Sequence, residues 1–299
     1  MAVGNVWVGN QRMTITAKVL ASSGAQSDHD LRGDYSAMRA DYTVPQDMNA
    51  YTPAHHALWR RLFDRQVKLC RTHACQEFLD GLNGLDVADG IPDFERSNKI
   101  LRRLTGWELV AVPGLIPNDV FFDHLAHRRF PVSWWIREEH EIDYLVEPDV
   151  FHDFFGHVPL LGHPVFADYM QIYGQQGLKA LAAGEVKRLS RLYWYMVEFG
   201  LIKNANGLRA FGAGILSSFG ETRYCLESDE PNRIAFDLKR VLRSEYRIDT
   251  FQATYFVLEK FEDLFDASRG DLLPVYAELA GLPDVPATGR LPTDRFILA

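Results

Sequence analysis

Two histidines and a glutamate in strongly apolar surroundings, His152, His157 and Glu198, are the residues of this 299-residue chain best placed to do chemistry. The histidines fall in EPDVFHDFFGHVPL (147–160), among Val150, Phe151, Phe154, Phe155, Val158 and Leu160. Imidazoles in such a setting need partners, because burying an unpaired polar group is costly. Glu198 lies in RLYWYMVEFGL (191–201), beside Leu192, Tyr193, Trp194, Met196, Val197 and Phe199. A carboxylate there is expensive unless it meets a metal or a cation. Two neutral imidazoles and one carboxylate, with other positions left to water or substrate, suit non-haem Fe(II) in oxygen chemistry. A second reading stays open on these residues alone: structural histidines, with Glu198 paired to Arg191. A thermolysin-like zinc helix is excluded. It needs histidines four apart with Glu after the first, whereas here the interval is five and Asp153 follows His152.

The elements must bring these residues together. On a regular helix, five residues turn through about 140°, so the histidines would not share a face. Gly156 weakens the helix between them, and Pro159 disfavours helical geometry at Val158. The helix is therefore expected to fray there, letting His157 swing back towards His152. Pro148, with acids on either side, marks its start. Glu198 is expected on a long helix over about 185–199, with Trp194 one turn earlier on the same side. Further helices are expected from Pro53, over 74–82 and over 118–127, with two more segments in 235–265. Residues 107–116 read as a short strand turning at Pro113-Gly114, and 129–135 as extended. The fold class is thus mainly α, one helical domain over 51–280 with a few short strands. Residues 1–50 read as a flexible N-terminal arm and 281–299 as a Pro-containing tail.

Composition narrows the function. The formal charge of -8 and the small basic clusters disfavour nucleic acid as a partner. No stretch of about 18 uncharged apolar residues exists, so no membrane span is expected. No leader is evident at the start, which makes the cytoplasm the default. Cys70, Cys75 and Cys225 are too few for a disulfide framework and read as structural thiols. His55, His56, His124 and His127 read as surface or helix-face histidines. Gly212-Ala213-Gly214 begins like a dinucleotide fingerprint, but Ser217 stands where the third glycine should be.

The two runs above, followed by FGAGILSSFGE (211–221), closely resemble the pterin-dependent aromatic amino acid hydroxylases, over about residues 50 to 270. The short bacterial phenylalanine 4-hydroxylases are the nearest in character. The resemblance implies a helical basket with Fe(II) midway down a cleft, held by His152, His157 and Glu198. It implies a tetrahydropterin, tetrahydrobiopterin-like, stacked on Phe121, with Gly114, Leu115 and Ile116 meeting its ring edges. Asp153 stands near pterin and iron where the family often has Glu. Arg137 would clamp the carboxylate of the amino acid, since a guanidinium can bind both oxygens. Pro148, Trp194, Phe199, Gly214 and Ser217 would line the substrate pocket. The implied reaction is hydroxylation of L-phenylalanine to L-tyrosine with O2. Ile248, apolar where tyrosine-hydroxylating relatives carry an acid, favours phenylalanine over a tryptophan-preferring variant of the same reaction.

Two other classes remain as alternatives. A 2-oxoglutarate oxygenase would favour a His-x-Asp pair, which the core lacks. A non-catalytic zinc protein would need a fourth ligand, for which only Cys225 lies downstream. The arm is too short and polar for the regulatory domain of animal members, and the tail lacks their tetramerising helix. A monomer without substrate activation is therefore expected.

Overall fold

The computed structural model describes residues 32–298 apart from 144, 146 and 206. Helix α1 (Pro53–His73) begins where Thr52 accepts a hydrogen bond from the His55 N–H (3.3 Å) and Pro53 takes the first turn, where a missing N–H costs nothing. Helix α2 (Gln76–Leu85) follows, and α3 (Phe94–Leu104) is capped by Asp93. Strand β1 (Glu108–Val112) pairs in parallel with β2 (Arg129–Ser133) across α4 (Asn118–Ala126). These last three elements fall where the sequence places them. The second helix starts two residues later than expected, at Gln76.

The segment Phe151–His157 does not fray. It forms a π-helical turn that runs on into α5 (Val158–Leu161) and then α6 (Pro164–Ala183). Helix α7 (Val186–Leu192) likewise widens into a second π-turn, Tyr193–Glu198. The Phe199 N–H reaches back five residues to the Trp194 carbonyl at 2.9 Å. In such turns the hydrogen bonds run i to i+5 rather than i to i+4. Residues five apart therefore come nearly above one another.

After the second π-turn come β3 (Leu201–Asn204), β4 (Gly207–Ala210), α8 (Ala213–Leu216), α9 (Phe219–Glu227), β5 (Asn232–Ala235) and α10 (Leu238–Leu242). Then follow β6 (Thr254–Leu258), α11 (Phe261–Ser268) and α12 (Leu273–Leu279). Among the described residues a four-stranded sheet has the order β4-β3-β6-β5, antiparallel only between β3 and β4. The two helical segments expected in 235–265 are α10 and α11. The strand β6 between them was not anticipated, although Thr-Tyr-Phe-Val-Leu is a strand-favouring run.

An aromatic core fixes the first π-turn. Trp59 of α1 meets Phe151 and Phe154 at ring distances of 5.4 and 6.1 Å. Phe155 packs between Phe63 and Phe78, each at 5.7 Å, and stacks on Phe151 at 4.9 Å. Each such ring pair contributes about 0.5–1.5 kcal/mol beyond simple burial. The three phenylalanines face α1 and α2, so the histidines of the same turn face away from them.

Both flanks of the expected 51–280 domain pack onto it. Val44 N–H bonds the Ala111 carbonyl (2.9 Å), the Tyr35 hydroxyl donates to the Leu115 carbonyl (2.8 Å), and Tyr42 and Val44 are buried. Residues 1–31, the rest of the expected arm without a leader, lie outside the described residues. In the tail, Val285 exchanges backbone hydrogen bonds with Arg243 and Glu245 (2.7 and 2.8 Å), and Asp294 pairs with Arg240 at 2.8 Å. Cys70, Cys75 and Cys225 are buried free thiols. His124, expected at the surface or on a helix face, is fully buried, with Nε2 against the Asp41 carbonyl at 2.8 Å.

The tail carries a testable ion pair. Asp284 accepts from both ends of the buried Arg191 guanidinium at 2.7 and 2.5 Å. Those hydrogen bonds hold its carboxyl down to about 2. A depressed carboxyl contributes stability above its ordinary pKa of about 4 and loses it as pH falls through the folded-state value. Asp284→Asn is expected to cost about 2 kcal/mol at neutral pH and to flatten the loss of stability between about pH 4 and 2. Urea titrations at several pH values read this, and an acid limb as steep as wild type would contradict the assignment.

Candidate active site

The wide turns do for the ligands what a regular helix could not. His152 and His157, five apart in the first π-turn, stand with ring centroids 5.2 Å apart and nearly perpendicular. Glu198 ends the second π-turn and faces both. Its Oε1 lies 3.2 Å from His157 Nε2 and its Oε2 lies 3.6 Å from His152 Nε2. One ligand atom from each residue falls within 4.8 Å of the others.

The tautomer of His152 follows from its other ring nitrogen. Nδ1 lies 2.8 Å from Ser217 Oγ, and that hydroxyl spends its proton on the Ala213 carbonyl at 2.8 Å. Ser217 must therefore accept from Nδ1–H, which leaves a lone pair on Nε2, the nitrogen turned to Glu198. Burial pushes the His152 pKa down to about 4, outweighing the attraction of Glu198. The ring is neutral at physiological pH, as a metal ligand must be. Burial alone would raise Glu198, but His157, His152 and the Gly214 N–H pull its carboxyl below the usual range. A neutral His152 imidazole, the His157 imidazole and an ionised carboxylate thus converge on one point. His152 and Glu198 keep 21% and 13% of their side chains exposed, against 4% for His157. The cluster is partly exposed at His152 and Glu198, and the donor set fits a divalent iron with free positions.

Close approach brings the third wall in. A Cβ on Gly156 would lie 2.9 Å from Ala213 Cβ. This bare contact seats α8 against the first π-turn, and α8 supplies the Ala213 carbonyl and Gly214. A Cβ on Gly214 would in turn lie 2.8 Å from the Phe199 ring.

Other residues singled out from the sequence surround this centre. Asp153 accepts from the Ser133 N–H at 2.7 Å, at the end of β2, and burial raises its carboxyl to about 7. Phe121 of α4 stands edge-on to Tyr193 at 5.6 Å, and Tyr193 lies 6.1 Å from the His157 ring. Gly114, Leu115 and Ile116 form the turn after β1. The Leu115 N–H points at Glu147 Oε1 (3.4 Å), while its carbonyl takes the Tyr35 hydroxyl. Leu115 therefore has neighbours for both of its backbone polar groups. Pro148 is half-buried between Glu147 and Asp149.

Two of the expected residues gain partners and the placing of a third is corrected. Arg137 does not present its whole fork: Nε and Nη2 are held by the buried Asp149 at 2.9 and 2.8 Å. Ser217 touches His152 rather than only lining a pocket. Trp194 does not share the side of Glu198, because the π-turn gives that register to Tyr193. The Trp194 indole instead stacks on Tyr246 at 4.4 Å, leans on Phe199 at 4.8 Å and donates to Gln252 at 2.9 Å. Arg191, the alternative partner for Glu198, is taken by Asp284. Ile248 is 65% exposed, and its loop meets Trp194 through Tyr246 and Gln252. Asp149 could have been found as one more acid inside the same apolar motif. Tyr246 and Gln252 carry no local signal.

A model of the family described as biopterin-dependent aromatic amino acid hydroxylase matches residues 28–270. The chain belongs to that family. Phenylalanine-4-hydroxylase of Ralstonia nicotianae is 58% identical over 251 residues, 84% of this chain and 80% of that protein. The Chromobacterium violaceum enzyme is 58% identical over 241 residues, 80% and 81% of the two chains. The crystal structure of the latter with iron and phenylalanine bound superposes with a TM-score of 0.84 at 54% identity, covering 87% of this chain and 96% of that one. Its cobalt-bound form gives 0.86 at 55% identity, covering 87% and 95%. The mainly helical architecture of this hydroxylase is thus the catalytic-domain fold of its family.

The Ser217 contact makes a prediction. Ser217→Ala is expected to weaken Fe(II) retention about ten- to a hundredfold, as loss of a ligand's outer hydrogen bond does, with little change in Tm. Iron content after dialysis against a graded chelator, beside thermal melts, checks it. Retention equal to wild type would show that the hydroxyl does not orient His152.

Proposed function

We infer that this hydroxylase converts L-phenylalanine to L-tyrosine, with Fe(II) at His152, His157 and Glu198 and a tetrahydropterin beside them. The observation that carries this reading is the convergence of two imidazoles and a carboxylate, partly exposed at His152 and Glu198, in a chain 58% identical to proteins named phenylalanine-4-hydroxylase. When bound, iron and reduced pterin supply dioxygen activation, one oxygen atom going to the substrate ring and the other to the pterin.

The chain's own residues supply position and dryness. Asp149 turns the Arg137 guanidinium and occupies its Nε edge. The Nη1–Nη2 edge is then the one to receive the amino acid carboxylate. Trp194, Phe199 and Pro148 flank the substrate ring, and Gly214 gives it room where a side chain would strike Phe199. Phe121 offers a face for the pterin, with Leu115 and its neighbours at the ring edge. Asp153, kept in place by the Ser133 N–H, sits between the pterin side and the metal. The working unit in this reading runs past the 51–280 core to include residues 32–50 and the packed tail. No helix among the described residues is long and apolar enough to cross a membrane, and the cytoplasm is the proposed location. The hydroxylase acts as a monomer here, with a hyperbolic dependence on phenylalanine. A sigmoidal response, or a multiple of the chain mass by light scattering, would overturn that.

The direct test loads Fe(II) anaerobically, then adds oxygen, tetrahydropterin and phenylalanine, and reads tyrosine by chromatography. Wild type is expected to form tyrosine, and His152→Ala and Glu198→Ala to form none above background. Tyrosine from either variant would remove that residue from the ligand set. Arg137→Lys is expected to raise KM for phenylalanine about tenfold or more, with KM for pterin unchanged, because a lysine cannot serve Asp149 and a carboxylate together. A parallel rise in both KM values would contradict the assigned contact.

A further inference from the structure

We infer that Gln252 is a positioning residue: its carboxamide fixes the orientation of the Trp194 indole and thereby sets which aromatic amino acid the pocket prefers. This rests on reading Trp194 as part of the substrate wall.

Gln252 lies on the segment between α10 and β6 and is 4% exposed. Its Nε2 donates to the Arg247 carbonyl at 3.0 Å and points at the Thr250 carbonyl at 3.4 Å. Two carbonyls on that side require the NH2 group there, so the amide oxygen must face the indole. That oxygen accepts the Trp194 Nε1–H at 2.9 Å. The backbone of Gln252 is fixed as well, because its N–H donates to Glu221 Oε1 at 3.0 Å. The same oxygen takes the Tyr255 hydroxyl of β6. Glu221 is buried on α9, so the loop is bolted to a helix on one side and to the sheet on the other.

The indole is thereby held at two places: stacked on Tyr246 with planes 15° apart, and hydrogen-bonded at its nitrogen. Its other neighbour is Phe199, whose ring abuts Gly214, and Gly214 in turn donates to Glu198. A change of indole tilt is therefore passed directly to the residues beside the metal ligand. Gln252 and Tyr246 need not touch substrate for their geometry to matter, because Trp194 and Phe199 carry it to the pocket.

The experiment compares iron-loaded wild type with Gln252→Met, which keeps length but offers the indole only a weak sulfur acceptor, and Gln252→Glu, which keeps an oxygen. Ultraviolet resonance Raman of the indole N–H band, with Trp194→Phe to identify the contribution, reads the clamp without turnover. Steady-state kinetics with phenylalanine and with tryptophan read its consequence. Gln252→Met is expected to shift the Raman band and to raise KM for phenylalanine about tenfold, the effect of stranding one partly buried donor. The kcat/KM preference for phenylalanine over tryptophan is expected to fall, with KM for pterin unchanged and Tm lowered by no more than about 2–4 °C per kcal/mol lost. Gln252→Glu is expected to shift the band as well, because its second oxygen meets the Arg247 and Thr250 carbonyls that the NH2 group served. An unshifted band, or a shifted band with KM and preference unchanged, would overturn the inference. So would a uniform loss of kcat and Tm with KM intact, which marks a merely structural role. Should wild type form no tyrosine, the functional reading fails with the selectivity claim, while the Raman band still decides whether the clamp exists.

Discussion

The site depends on one local constraint, the widening of the backbone at Phe151–His157. Histidines five apart can point the same way only if the turn holds more residues than an α-helix allows. A π-turn is less favourable than the helix it interrupts, so something must hold it. Here that is tertiary packing: Phe151, Phe154 and Phe155 wedge among Trp59, Phe63 and Phe78. The apolar face of the segment stabilises the geometry that its polar face uses. This links the core of α1 and α2 to the chemistry through one short stretch of chain.

The second π-turn repeats the solution at Tyr193–Glu198 and sets Glu198 opposite the histidines. The charge balance that results is unfavourable by itself. Burying a carboxylate beside a neutral His152 leaves a negative charge compensated by little more than His157 and a few hydrogen bonds. A divalent cation relieves that imbalance, so binding energy and folding energy are coupled at this point. The helical walls thus carry a modest electrostatic strain, and the hydrogen bonds from Ser217 and Gly214 keep the ligands aimed while it is present.

Much of this was legible in the sequence, and the reasons for the remainder are physical. The ligand trio could be read because polar residues in apolar runs are rare and expensive. β1, α4 and β2 could be read because their punctuation, Pro113-Gly114 and the charged pair at 128–129, is local. The fraying of the first helix was read wrongly, since Gly156 and Pro159 do weaken an α-helix. A chain can also answer such weakness by taking in an extra residue per turn, and only packing from α1, α2 and α8 decides between the two. Trp194 was mis-set for the same reason: a spacing of four means one side in an α-helix and another in a π-turn. The strand β6 and the Gln252 loop depend on partners far away in sequence. The burial of residues 32–50 depends on β1 and Glu147 in the same way.

Arginine placement shows most sharply what sequence cannot assign. Arg137 and Arg191 each stand in an apolar stretch, and each buried guanidinium ends in a bidentate pair, with Asp149 and with the half-buried Asp284. From the sequence, Arg137 was free for substrate and Arg191 was a rival for the metal, claiming Glu198. In the fold both acids intervene. Asp284, from the tail, draws Arg191 outward to the Leu242 carbonyl and away from the cleft. Without that partner, a buried guanidinium one turn before the second π-turn would seek the nearest carboxylate. Asp284 and the Leu242 carbonyl satisfy that guanidinium, and Glu198 is left to the two histidines and Gly214. The tail thus closes off the pairing that the sequence left open between Arg191 and Glu198.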